Sequence, residues 1–377
     1  ELTLRWGWYG PEAVFKRVEL GEPGRSNVLL RAPQLTVGFD AWRSVRTGQL
    51  QPGRITLVAP RIDLTRPSIT GPREREGDAQ GLLDSWLRAP ILRRWRGGRI
   101  DIESGTLSVP APGNPAHIVS LLVRRASMRR TDDTLSASAS LLLPERMGRV
   151  LTLSMQLERE SAPSERYRGV VRVQGRRLEA AGWREFLGAA TSWARLLPRG
   201  GSGEANARLE LRAGQVVRAD GELRAEGVSF AALERPDAQQ APIIGAPLYL
   251  GPLRASWKLE RNAQEWRLRL RDLRFGPAAR EMPAAAFDLT WNRTERSAQG
   301  TLDSLPAASL ASVARWLAPH LSLGGIELGG TARDVAFRWD GQTPAGERLR
   351  VEATLDALTL TAPSRNFVLS GLGARVT

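Results

Sequence analysis

Apolar and polar residues alternate along this chain from one end to the other, and that period of two constrains the fold more than any other feature. Trp266-Arg267-Leu268-Arg269-Leu270 is the clearest case. Leu151-Thr152-Leu153-Ser154-Met155-Gln156-Leu157, Leu209-Glu210-Leu211, Phe287-Asp288-Leu289-Thr290-Trp291 and Val335-Ala336-Phe337-Arg338-Trp339 repeat it. Successive side chains of a strand point to opposite faces, so each run reads as a strand with one buried face. Many runs slip by one residue at an Asp or Gly and then resume, as at Arg271-Asp272-Leu273, Glu226-Gly227-Val228 and Asp356-Ala357-Leu358. A slip turns a strand inside out unless a bulge re-aims it, so these positions predict strands that bend partway. At 377 residues the chain is too long for one ordinary core. The expectation is a mainly β protein with a few α-helices, an elongated and strongly curved antiparallel sheet.

Three segments leave the pattern and predict helices. The first runs from Ala79 to Trp95 with a kink at Pro90, and the second from Ala180 to Leu196. The third starts at Ser304 as N-cap with Pro306 in the first turn and continues to Leu317. A Gly pair follows each (Gly97-Gly98, Gly200-Gly201, Gly324-Gly325), which fits a left-handed helix stop before the next strand. Helix, Gly pair and strand meander recur three times, so residues 1–377 read as one continuous body. Its approximate sub-units are 1–78, 79–178, 179–303 and 304–377. Thr70–Gly81, Glu160–Glu165 and Glu234–Ala246 read as surface loops.

Chemistry is narrowed by what the chain lacks. It has no Cys, which removes disulfides, thiolate metal sites and Cys nucleophiles, and no apolar run of the roughly 20 residues a membrane span needs. His117 and His320 lie far apart, no phosphate-binding loop, dinucleotide fingerprint or serine-hydrolase elbow occurs, and no cofactor or metal is expected. Asp132-Asp133 and Asn292-Arg293-Thr294 read as hairpin turns. The net charge is +14, with Lys only at Lys16 and Lys258, so the basic residues are almost all Arg. They are spread at alternate strand positions, the pattern of a solvated face, and nucleic acid is not an expected partner. Arg88, Arg93, Arg94, Arg96 and Arg99 cluster. They read either as cations favourably placed at a helix C-terminus or as a contact for anionic headgroups.

The opening Trp8-Tyr9-Gly10-Pro11-Glu12-Ala13-Val14-Phe15-Lys16-Arg17-Val18-Glu19-Leu20 leads to Leu30-Arg31-Ala32-Pro33-Gln34-Leu35-Thr36-Val37. A run from Trp42 through Gly48-Gln49-Leu50 to Pro60-Arg61-Ile62-Asp63-Leu64 follows. This opening resembles the AsmA-like superfamily, most of all its YhdP type, with TamB-like relatives as the alternative; the specific part covers Glu1 to Leu64. The resemblance implies a non-enzymatic periplasmic β-groove that carries phospholipid between inner and outer membranes and supports outer-membrane integrity. It also implies an inner-membrane anchor upstream of Glu1, and the last residues, still turn and strand, read as continuing into further structure. Outer-membrane or periplasmic proteins are candidate partners. The expected lining is Ile55, Leu57, Ile100, Ile102, Leu153, Met155, Val171, Val173, Leu209, Leu211, Trp257, Leu259, Leu268, Leu270, Phe287, Leu289, Phe337, Val351 and Leu355. An alternative from another class is a structural or assembly factor for envelope proteins that docks partners on sheet edges.

Overall fold

The computed structural model describes residues 1–7, 10–21, 28–48, 52–65, 97–112, 114–131, 133–160, 167–188, 197–231, 234–235, 243–244, 247–262, 264–276, 284–317, 327–342, 349–362 and 367–376. Strands dominate, as the alternation requires, and among the described residues nineteen of them share one hydrogen-bonded sheet. The chain divides into two compact units, 1–197 with 204–216, and 198–203 with 217–377.

In the first unit β1 (Leu2–Gly7), β2 (Gly10–Gly21) and β3 (Val28–Phe39) pair antiparallel, and helix α1 (Ala41–Thr47) follows. After β4 (Pro52–Val58) and β5 (Arg61–Asp63), strands β6 (Gly98–Ala111), β7 (Asn114–Arg130), β8 (Thr134–Leu142), β9 (Val150–Arg159) and β10 (Tyr167–Glu179) form an antiparallel meander, and helix α2 (Ala180–Leu187) leaves its end. β11 (Gly200–Arg212) and β12 (Gln215–Phe230) contain the boundary between the units. The second unit contains a two-stranded ribbon, β13 (Glu234–Arg235) with β14 (Ile243–Ile244), then β15 (Leu248–Arg261), β16 (Glu265–Phe275), β17 (Ala285–Asn292) and β18 (Ser297–Pro306). Helix α3 (Ala307–Leu317) and strands β19 (Glu327–Asp340), β20 (Leu349–Ala362) and β21 (Phe367–Val376) complete it. From β15 onward each strand pairs antiparallel with the next.

The phase slips are bulges. Gly227, Asp272 and Ala357 have φ of 62°, 53° and 50°. Ladder register jumps beside each, at Ala225/Val228, Leu270/Leu273 and Leu355/Leu358. Arg17, Ser104 and Asp334 adopt the same backbone (φ 53°, 54° and 51°) without an alternation break obvious enough to announce it. A left-handed non-Gly residue costs roughly 1–2 kcal/mol, which the ladders on either side must offset. The gain is that apolar side chains return to the face they left: Leu268 and Leu270 before the bulge, Leu273 and Phe275 after it.

The expected antiparallel sheet is present, with a local departure where β4 and β5 pair parallel with β6. Three expectations need correction. The third helix begins at Ala307, because the β18–β19 ladder continues through Ser304↔Arg333 to Pro306↔Thr331 and keeps Ser304 extended. The two glycine pairs among the described residues serve strand starts: Gly98 and Gly201 (φ 109° and 112°) open strands at places where a Cβ would press on the backbones of Gly53 and Glu226. The segment 234–246 contains the β13–β14 ribbon rather than loop alone. The second helix begins at Ala180 and closes at Gly188 (φ 43°), while 189–196 lie outside the described residues, as do 79–95, His320 and Gly324-Gly325. Asn292 makes the expected turn, its Oδ1 accepting from the backbone N–H of Thr294 and Glu295 (3.0 and 3.1 Å).

The helices close one end of each unit's apolar face. Trp183 and Phe186 of α2 pack on Val119, Leu143 and Met147, and His117 Nδ1 lies 3.6 Å from Glu185 Oε1. In the second unit Ala307 and Ala311 of α3 are buried, and Trp316 Nε1 donates to the Ala231 carbonyl (2.8 Å) while its ring meets Phe230.

Candidate functional site

Cross-strand register assembles the expected residues into continuous rows. In the first unit, one row runs Leu4, Ala13, Val37, Ile55, Ile100, Met128, Ala137, Met155, Val171. Beside it runs Leu2, Phe15, Leu35, Leu57, Ile102, Ala126, Ala139, Leu153, Val173. Nine strands thus present one unbroken apolar face. Leu211 is buried against Leu135 and Leu157, with Met155 and Val171 packed around them, and Leu209 is half-buried on the same strand.

The second unit repeats the arrangement. Its central row is Leu259, Leu268, Leu289, Gly300, Phe337, Val351, and the next is Trp257, Leu270, Phe287, Leu302, Val335. Gly300 has a local reason: a Cβ there would meet the Phe337 ring, and without it Phe337 stacks on Phe287 at 6.0 Å. Leu355 stands apart from these rows, opposite Ala332 beyond a register shift, where it packs against the Leu305–Ala332–Val335–Ala353 core. Apart from Leu57 and Leu211, which are buried, every expected lining residue is half-buried. That is the state of an apolar face that neither water nor a second layer fully covers.

The strand patterns of Trp266, Trp291 and Trp339 place them on the apolar face, and the register bears this out. The sequence does not single out Phe15, Leu35, Val37, Met128 and Leu302 on these faces, nor the small residues Ala126, Ala137 and Ala139. The alternation of Ser136-Ala137-Ser138-Ala139-Ser140 carries that signal, but an Ala–Ser contrast is too shallow to rank.

The reverse face is charged. Lys258 Nζ reaches Glu260 Oε1 (2.5 Å), and Arg271 Nη2 reaches Asp288 Oδ2 (3.1 Å). In the first unit Arg54 Nε and Arg99 Nε converge on the two oxygens of buried Asp101 (2.8 and 2.9 Å). Arg99, one of the expected headgroup contacts, therefore lies on the face opposite Ile100. Arg88, Arg93, Arg94 and Arg96 lie outside the described residues. A depression of about 860 Å³ beside Leu135, Leu157, Gly169 and Leu211 is lined mainly by polar and charged groups, including Gln156, Arg168, Arg172 and Arg208.

The Lys258 hydrogen bond, with nearby Arg269 and Arg218, holds the Glu260 carboxyl below the usual carboxylate range. A carboxylate depressed in the fold stabilises above its unfolded pKa and loses that contribution as pH falls through the folded value. The expected result is a Glu260 NMR titration midpoint below that of an exposed Glu, rising in Lys258→Met; an unchanged midpoint in the variant refutes the assignment. Glu260 is well solvated, so the stability effect is small.

Such a sheet can hold a long apolar chain on one side while water solvates the other. Among the described residues no group of three or more His, Asp or Glu is placed to hold a metal, and no helix is long and apolar enough to cross a membrane. Comparison with curated proteins and with solved structures finds no match. The family described as YhdP protein matches residues 1–372. With nearly its whole length matched, the chain belongs to the YhdP family.

Proposed function

We propose that this chain is a non-enzymatic phospholipid carrier of the bacterial envelope. It works in the periplasm, tethered to the inner membrane in the full-length protein, and passes lipid between the inner and outer membranes in support of outer-membrane integrity. The observation that carries the reading is the register itself. Nine strands in one unit and six in the other align apolar residues in adjacent rows, with a charged reverse face. Moving one methylene from water onto such a surface is worth about 0.8 kcal/mol, so a dozen covered methylenes contribute on the order of 10 kcal/mol before ordering costs. Family membership supports the same reading.

The test is lipid extraction. Purified protein should carry phospholipid detectable by mass spectrometry and take up a fluorescent phospholipid after delipidation. Protein that is folded, lipid-free and unable to take up the probe ends this reading.

The assembly-factor reading retains one supporting observation: Leu2, Leu4 and Trp6 of β1 are 60%, 74% and 80% exposed. An exposed apolar strand of this kind can accept a partner strand. A photoreactive residue at position 4 that captures a protein in cells and no lipid would favour it.

A further inference from the structure

The apolar face of the second unit is not uniform from side to side, and the gradient orients a ligand. Beside the hairpin turns at 262–265 and 293–296, Arg261 opposes Trp266, Trp266 opposes Trp291, Trp291 opposes Ala298, and Ala298 opposes Trp339. Ala298 leaves room for Trp291 and Trp339 to stack at 5.4 Å, and the Arg261 guanidinium sits 5.1 Å from the Trp266 ring centre. One row inward the face is aliphatic and phenyl; further in come the bulges and the core closed by α3. One edge is thus an aromatic rim next to solvated turns, and the other is shut.

Indole rings concentrate where an apolar medium meets water, because the ring is apolar while its N–H still needs an acceptor. Arg favours the same boundary and binds phosphate. Among the described residues, none of the three indole N–H groups donates to a protein acceptor. The span also fits. Trp266 to Leu270 covers four residues, about 13 Å at 3.3 Å per residue. One leaflet's acyl layer is about 15 Å deep, half of a bilayer core.

We propose that the Trp266–Trp291–Trp339 row is the headgroup rim of this unit. It receives the phosphodiester and glycerol-ester region of a diacyl phospholipid, with Arg261 at its end, while the acyl chains run across Leu268 and Leu289 toward Leu302 and the bulges. The inference rests on the lipid-carrier reading and adds the direction in which each lipid lies.

Two photoreactive phosphatidylethanolamines separate the possibilities, one with a diazirine on the headgroup and one with it at the acyl terminus. Each is loaded into the delipidated protein, irradiated and mapped by peptide mass spectrometry. The headgroup probe should label peptides at 264–266, 291–296 and 339–342, and the acyl-terminal probe those at 270–275 and 302–305. The expected preference is about tenfold each way, the ratio that about 1.4 kcal/mol produces. In Trp291→Ala with Trp339→Ala the headgroup labelling should spread beyond the rim, whereas Trp291→Phe with Trp339→Phe should leave acyl labelling intact and restore part of the rim preference. Reversed or evenly mixed labelling overturns the orientation and leaves the carrier reading standing. Absence of labelling by either probe, in protein shown to be folded, overturns both.

Discussion

Replacing Leu268 or Leu289 by Asp is expected to leave the protein folded and to abolish lipid capture in the second unit. The two side chains oppose each other, with Leu259 and Gly300 as their outer neighbours, in the middle row of the apolar face. Both are half-buried, so a carboxylate there keeps access to water in the empty protein and need not unfold it. Once an acyl chain covers the row, the charge loses that hydration without a partner, at a cost of at least a few kcal/mol. About 3 kcal/mol corresponds to a loss of affinity of over a hundredfold, enough to empty the site. The checks are circular dichroism and denaturant unfolding for the fold, and crosslinking from a photoreactive residue at position 302 for the lipid. If these leucines are instead ordinary core, the variants lose several kcal/mol of stability and fail to express as soluble protein. A folded variant with undiminished crosslinking removes the row from the lipid's path.

The second large effect is structural. Asp101 is 3% exposed on the charged face of the first unit, yet its carboxylate accepts from Arg54 Nε at 2.8 Å and Arg99 Nε at 2.9 Å. Arg54 and Arg99 oppose each other on the parallel β4 and β6, so one acid ties this parallel seam together. Asp101→Ala is expected to cost roughly 2–3 kcal/mol, the range for losing hydrogen bonds between charged groups when the two partners can still turn to water. Glu158→Gln, which breaks an exposed pair with Arg168 at 3.0 Å, should cost under about 1 kcal/mol. Urea unfolding of the two variants decides it: comparable losses would mean that Asp101's burial adds nothing.

Strands, turns and bends were readable because each is a local property. Alternation in Trp266-Arg267-Leu268-Arg269-Leu270 fixes which side chains share a face, and the break at Asp272 can be accommodated only by a bulge. Asn292 marks its turn through its own side chain. The helix beginning at Ser304 was misread because its capping signal competes with a ladder to Arg333, and a distant strand outbid the local preference. The glycine pair at Gly97-Gly98 was legible as special but not as to why, since the crowding comes from Gly53, far away in sequence.

By itself, then, the sequence determined a bent, mostly antiparallel β protein with one apolar and one charged face, because period two and its interruptions act within a few residues. Only the tertiary structure decided that β4 and β5 run parallel to β6, that Arg99 turns to Asp101, and that Trp266, Trp291 and Trp339 fall in a single row. Each of these depends on which strand lies beside which and in what register. Register is set by hydrogen bonds and side-chain fit between segments far apart in the chain, and a shift of two residues would keep every local pattern while moving every row.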